Sequence, residues 1–256
     1  MINLEKCKEE FIKYTKQFDL EAQNIKRKQG HSLRVMSISE KLAKLLNLTE
    51  EEIEHPTLIG LLHDIGRFEE YKNKRELKEN KLDHADYGVY VLQKNDYIKK
   101  YIKDAQSIGI IYKAIKNHNK YEIEKEGLNE KELIFCKLIR DADKIDIFYE
   151  GEYIYWNTPK EIENVENSNI SEYIRKQILA QENVKIKGNE RNDSIDRVLI
   201  LLSFVYDINF KESFKIIDEE KYINQILKRF NIKNQETKNE VQEIQNILNK
   251  YVQKNM

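Results

Sequence analysis

Two residue types that bind divalent cations stand side by side at the end of an apolar run, in Leu61-Leu62-His63-Asp64-Ile65-Gly66-Arg67. A neutral imidazole nitrogen next to an anionic carboxylate suits hard or borderline divalent ions. The pair has company along the chain: His31 before it, then His84, His118 and Asp143 after it. His31 heads an apolar stripe formed with Val35, Ile38, Leu42 and Leu45 at helical spacing. His84 shares a side with Tyr87, Gly88, Val91 and Leu92, and His118 closes the run Ile108, Ile111, Ile115. Phe135, Ile139, Ala142, Asp143 and Asp146 fall on one helical face, whereas Asp141 points nearly the opposite way. That phase selects Asp143 as the inward carboxylate. A lone histidine on an apolar face is usually a hydrogen-bonded core residue. Five such polar groups on five helices would each need separate satisfaction, and one or two shared ions would satisfy them together. His55, the remaining histidine, lacks this placement and reads as surface or local structure.

Helices must position these residues. One is expected over 4–18 and a longer one over 21–47, with an interruption near Gly30. Thr49 with Glu52 has the form of a capping box. Pro56 is expected to open the turn that carries Leu58 to Asp64, and Gly66 to end it. Residues 67–82 are charged and irregular, and read as a solvated loop or lid. Asp83 can cap a helix over 84–95, residues 119–129 read as loop, and a helix is expected over 130–149. Residues 150–167 lack periodicity, and further helices are expected over 168–182, 194–209, 212–230 and 235–253. No strand alternation persists, and only 8 Gly and 2 Pro punctuate the chain. The fold class is therefore all-α. The expected organisation is a single domain over 1–256, with a metal-binding core over about 25–150 and a helical extension over about 168–254.

Composition narrows the functional classes. The formal net charge is -1 and no basic block is present, so non-specific binding of a nucleic-acid duplex has no electrostatic support. The longest apolar run, Val198 to Tyr206, is too short to span a bilayer, so no membrane partner is expected. Cys7 and Cys136 form no CxxC motif, and Cys136 lies in an apolar run that suggests buried packing. With an N-terminus too charged for a signal peptide, a reducing cytoplasm is the expected compartment.

The order His31, His63-Asp64, Asp143 resembles the HD superfamily of metal-dependent phosphohydrolases, named for its histidine-aspartate doublet. His63-Asp64-Ile65-Gly66 is similar to the form common in bacterial members, and Asp141-Ala142-Asp143-Lys144-Ile145-Asp146 to the later aspartate segment. His84-Ala85-Asp86-Tyr87-Gly88, together with His118, resembles the branch with two metals. The resemblance implies an HD-type helical bundle with additional C-terminal helices. It also implies that His31, His63, Asp64 and Asp143 hold one ion, while Asp64 bridges to a second held by His84 and His118. The ions would be drawn from Mn, Fe, Mg, Ni, Co or Zn. The Gly-Tyr-Pro element of branches that cleave cyclic dinucleotides is absent.

The resemblance implies an enzyme that hydrolyses a small phosphorylated substrate rather than a nucleic-acid duplex: a phosphatase or phosphodiesterase acting on a nucleotide-like phosphoester. Two close ions suit that reaction because they supply hydroxide near neutral pH and stabilise charge on the phosphoryl group. Asp64 would be shared by both ions, and Arg67 and Lys144 are candidates to bind phosphate oxygens. The same ligand set also resembles HD-type di-iron oxygenases, and a third alternative is a non-catalytic metal site with partner-binding C-terminal helices.

Overall fold

Side-chain caps and buried apolar faces set the helices of this protein, seen here in a computed structural model that describes residues 2–72, 83–185 and 194–256. The chain divides into two compact units, residues 1–143 and 144–256. No strand occurs among the described residues.

In the first unit, α1 (Leu4–Thr15) is capped by Asn3, and α2 (Gln23–Leu45) runs unbroken through Gly30. The interruption expected there does not occur, because a single glycine costs a long helix only about 1 kcal/mol, which its buried face offsets. The Thr49–Glu52 capping box starts α3 (Glu50–Leu62). Pro56 therefore lies inside α3 rather than opening a helix. Helix α4 (Ile65–Lys72) follows at once, so Gly66 and residues 67–72 are helical and not a stop and a loop. The local charge pattern hid the anchor: Phe68 is fully buried and meets Phe11 edge to face at 5.8 Å. The rest of the expected loop or lid, residues 73–82, lies outside the described residues.

Asp83 accepts from Ala85 N and caps α5 (His84–Gln93), which a short 3-10 segment (Lys94–Lys100) follows. Asp104 caps α6 (Ala105–Asn117), and α7 (Glu130–Tyr153) carries the last acidic segment. Helix α3, whose residues Leu58 to Leu62 are fully buried, packs against α1, α2 and α6, and α5 packs against α4 and α6.

Gly60 lets α2 and α3 approach closely. A Cβ at that position would lie 2.7 Å from Ser39 Oγ and 2.9 Å from the Val35 carbonyl oxygen. Only glycine permits this approach, which sets His31 of α2 against His63 at the end of α3.

The second unit begins within α7 and continues through α8 (Pro159–Glu166), α9 (Glu172–Leu179), α10 (Ile195–Leu202), a 3-10 turn (Ser203–Asp207), α11 (Lys211–Glu219), α12 (Tyr222–Lys228) and α13 (Gln235–Asn255). Helix α8 stands where no periodicity was apparent. It is short, and its start depends on Pro159 and a Thr158–Glu161 capping box rather than on an apolar stripe. The expected helix over 212–230 is split at Lys221, whose φ of 55° is left-handed. Trp156 is buried against Phe230 at 5.6 Å, and Arg229 donates to its carbonyl oxygen at 3.0 Å. No helix among the described residues is long and apolar enough to cross a membrane.

Candidate metal centre

Helix ends aim most of the site. His63 caps the C-terminus of α3, Asp64 follows it, His84 begins α5 and His118 caps α6. His31 projects from the interior of α2 and Asp143 from α7. These elements bring all six residues together. His31 and His63 are fully buried, Asp64 and His118 nearly so, and the side chains of His84 and Asp143 are each 16% exposed.

The geometry is bipartite. Asp64 Oδ2 lies 3.4 Å from His31 Nε2 and 3.6 Å from His63 Nε2. Asp64 Oδ1 lies 3.5 Å from His84 Nε2 and 3.7 Å from His118 Nε2. Within each pair the two Nε2 atoms are 3.2 Å apart. Asp143 Oδ1 joins the first pair, 3.1 Å from His31 Nε2 and 3.6 Å from His63 Nε2. Two groups of donors thus share one carboxylate.

Four of the donors are held in the protonation states that a metal needs. Burial lowers the pKa of His63 and takes that of His84 to about 3, so both imidazoles are neutral. Burial alone would raise the pKa of Asp64, but the Lys28 ammonium beside it outweighs that and holds the carboxyl well below its usual range. Asp143 is likewise held well below its usual range, its burial outweighed by the His31 and His63 rings beside it. His63 Nδ1 donates to the Gly60 carbonyl at 2.8 Å and His118 Nδ1 to the Ile115 carbonyl at 2.7 Å. Each of these bonds leaves the Nε2 lone pair directed at the cluster. Converging lone pairs and carboxylates repel one another without a cation, so the donor set fits divalent ions.

Around His84 the arrangement differs. Its Nδ1 stands 3.2 Å from the amide nitrogen of Asn119, which also donates to both Asp83 oxygens at 2.8 Å. Asn119 Oδ1 is buried without a partner.

Sequence reasoning passed over three contributors. Lys28 donates to Asp64 Oδ2. Its signal was legible, since it lies three residues before His31 and hence on the same face of α2. Asn119 sits in a stretch without periodicity and gave no signal. Arg140 is buried and donates to the carbonyls of Asn117 at 3.0 Å and His118 at 3.4 Å, and to that of Lys120, holding the turn that carries His118.

The remaining expected residues separate. Arg67 reaches the site, with Nε 3.7 Å from Asp64 Oδ1 and Nη1 2.6 Å from Glu70. Lys144 lies in the second unit and pairs with Asp207 at 2.7 Å, so its ammonium already has a carboxylate partner. His55 stands outside the cluster, bonded to Ser107 Oγ at 2.8 Å and stacked on Phe135. Asp141 is fully buried rather than outward, so the phase of α7 distinguished the liganding carboxylate without separating buried from exposed.

Residues 29–147 match the family model of the HD domain. This stretch is similar to the HD domain. Its histidine-aspartate doublet is His63-Asp64, and the match encloses all six clustered residues. The HD domain points to a superfamily of metal-dependent hydrolases. The comparison with curated proteins returns no match, and neither does the comparison with solved structures.

Proposed function

We propose that this HD domain hydrolyses a phosphoester in a small, nucleotide-like substrate. The observation that supports the reading is the division of Asp64, one oxygen toward His31 and His63 and the other toward His84 and His118. His31, His63, Asp64 and Asp143 would hold one ion, and Asp64, His84 and His118 a second. What such ions supply is Lewis acidity toward a phosphoryl group and a hydroxide-strength nucleophile near neutral pH.

The chain's own residues do the rest. The Gly60 and Ile115 carbonyls fix the rings of His63 and His118, so neither must reorganise during the reaction. Arg67, partly exposed beside Asp64, offers a guanidinium to non-bridging phosphate oxygens. Burial of the donors keeps bulk water from competing for them.

The test is to load the metal-stripped protein with Mn or Fe and present phosphomonoesters and phosphodiesters, nucleotides included, with and without dioxygen. Phosphate or nucleotide release indifferent to oxygen is the expected outcome. Turnover that appears only with iron and consumes oxygen would replace this reading with an oxygenase.

A further inference from the structure

Lys28 of α2 reaches the donor set through Asp64, its acidic partner there. Its side chain is 13% exposed. The oxygen it binds, Asp64 Oδ2, is the one that faces His31 and His63. An ammonium and a divalent ion on one carboxylate oxygen repel each other strongly in so dry a place. An ammonium displaced from Asp64 would then be left partly buried with no acceptor, which is costly. An anion arriving at the loaded site removes that cost, and the flexible four-carbon stem of lysine allows the turn.

We propose that Lys28 is an exchange cation. It neutralises Asp64 in the metal-free site, gives up that oxygen when an ion binds, and then grips a phosphate oxygen. The second half deepens the phosphohydrolase reading and rests on it. The first half does not.

The test uses the full chain carrying Lys28→Met or Lys28→Gln, both unbranched and compatible with a helix interior. Thermal unfolding is measured on metal-stripped and Mn-loaded protein, Mn affinity by calorimetric titration, and binding of inorganic phosphate to the Mn-loaded protein in the same way. Both variants should lose more thermal stability without Mn than with it. Mn should bind them about tenfold more tightly, and phosphate about tenfold more weakly, than wild type. Lys28→Arg should retain phosphate binding. If a variant folds only with Mn present, competition with a chelator on the loaded protein gives the affinity instead.

Equal losses of stability in both forms would mean an ordinary salt bridge and overturn the proposal. Unchanged Mn affinity or unchanged phosphate affinity would overturn it as well. None of these readings needs turnover, so failure to find a phosphoester substrate leaves them interpretable.

Discussion

A Cβ at Gly66 would lie 2.6 Å from the backbone nitrogen of Gly88. Gly66 lets α4 meet the backbone of α5, two residues beyond Asp64 on one side and, at Gly88, four beyond His84 on the other. A Cβ at Gly66 would also lie 2.5 Å from the carbonyl oxygen of His84 itself. Backbone cannot yield as a flexible side chain can. Gly66→Ala should therefore destabilise the protein by about 2–3 kcal/mol, read as a lower urea midpoint, and weaken metal binding through the shift of His84. An unchanged midpoint would show that α4 and α5 separate freely.

Metal stoichiometry should report the bipartite site. Elemental analysis of wild-type protein after loading with Mn should give two ions per chain. His118→Ala should give one, because its loss breaks the second group while His31, His63 and Asp143 stay intact. Asp64→Ala should retain neither tightly, yet keep the helical circular dichroism signal. One ion in wild type and in His118→Ala alike would show the second group to be non-binding.

Asn119 should act on the second ion alone. Its amide is the polar group beside His84 Nδ1. Asn119→Ala should weaken the second Mn by roughly tenfold, as removal of a ligand's outer partner does, and leave the first unchanged. Calorimetric titration resolves the two events. Equal weakening of both would point to a general loosening of the fold.

Acid should destabilise the metal-free protein well above the carboxylate range. His84 has a pKa of about 3 in the folded chain against an ordinary 6.5, so the unfolded chain takes up the proton first. Its contribution is complete above about pH 6.5 and is lost as pH falls toward about 3. His63, also lowered by burial, acts in the same direction. The depressed Asp64 and Asp143 contribute above their ordinary 3.8 and lose that contribution at lower pH. Denaturant midpoints measured stepwise through this window should fall, and His84→Asn, which does not titrate, should flatten the fall. A midpoint level from neutrality to the carboxylate range would contradict the burial of neutral imidazoles.

Helical class and the six clustered residues were legible in the chain alone, because periodicity reports which side of a helix is buried and the polar residues that interrupt an apolar stripe stand out. The Thr49–Glu52 and Asp83 caps were legible for a similar reason: their partners lie within three residues. Pro56 and Gly66 were misread, since a local rule treats them as helix boundaries while burial of Leu58 to Leu62 and of Phe68 carries the helices through. Lys144 could not be placed from its neighbours, because Asp207, its partner, is distant in sequence. What tertiary structure alone decided is how the carboxylate of Asp64 is divided, which ring nitrogens face it, and that Arg140 supports the cluster. Those relations join α2, α3, α5, α6 and α7 across long stretches of chain, and no spacing within one helix encodes the distance between two.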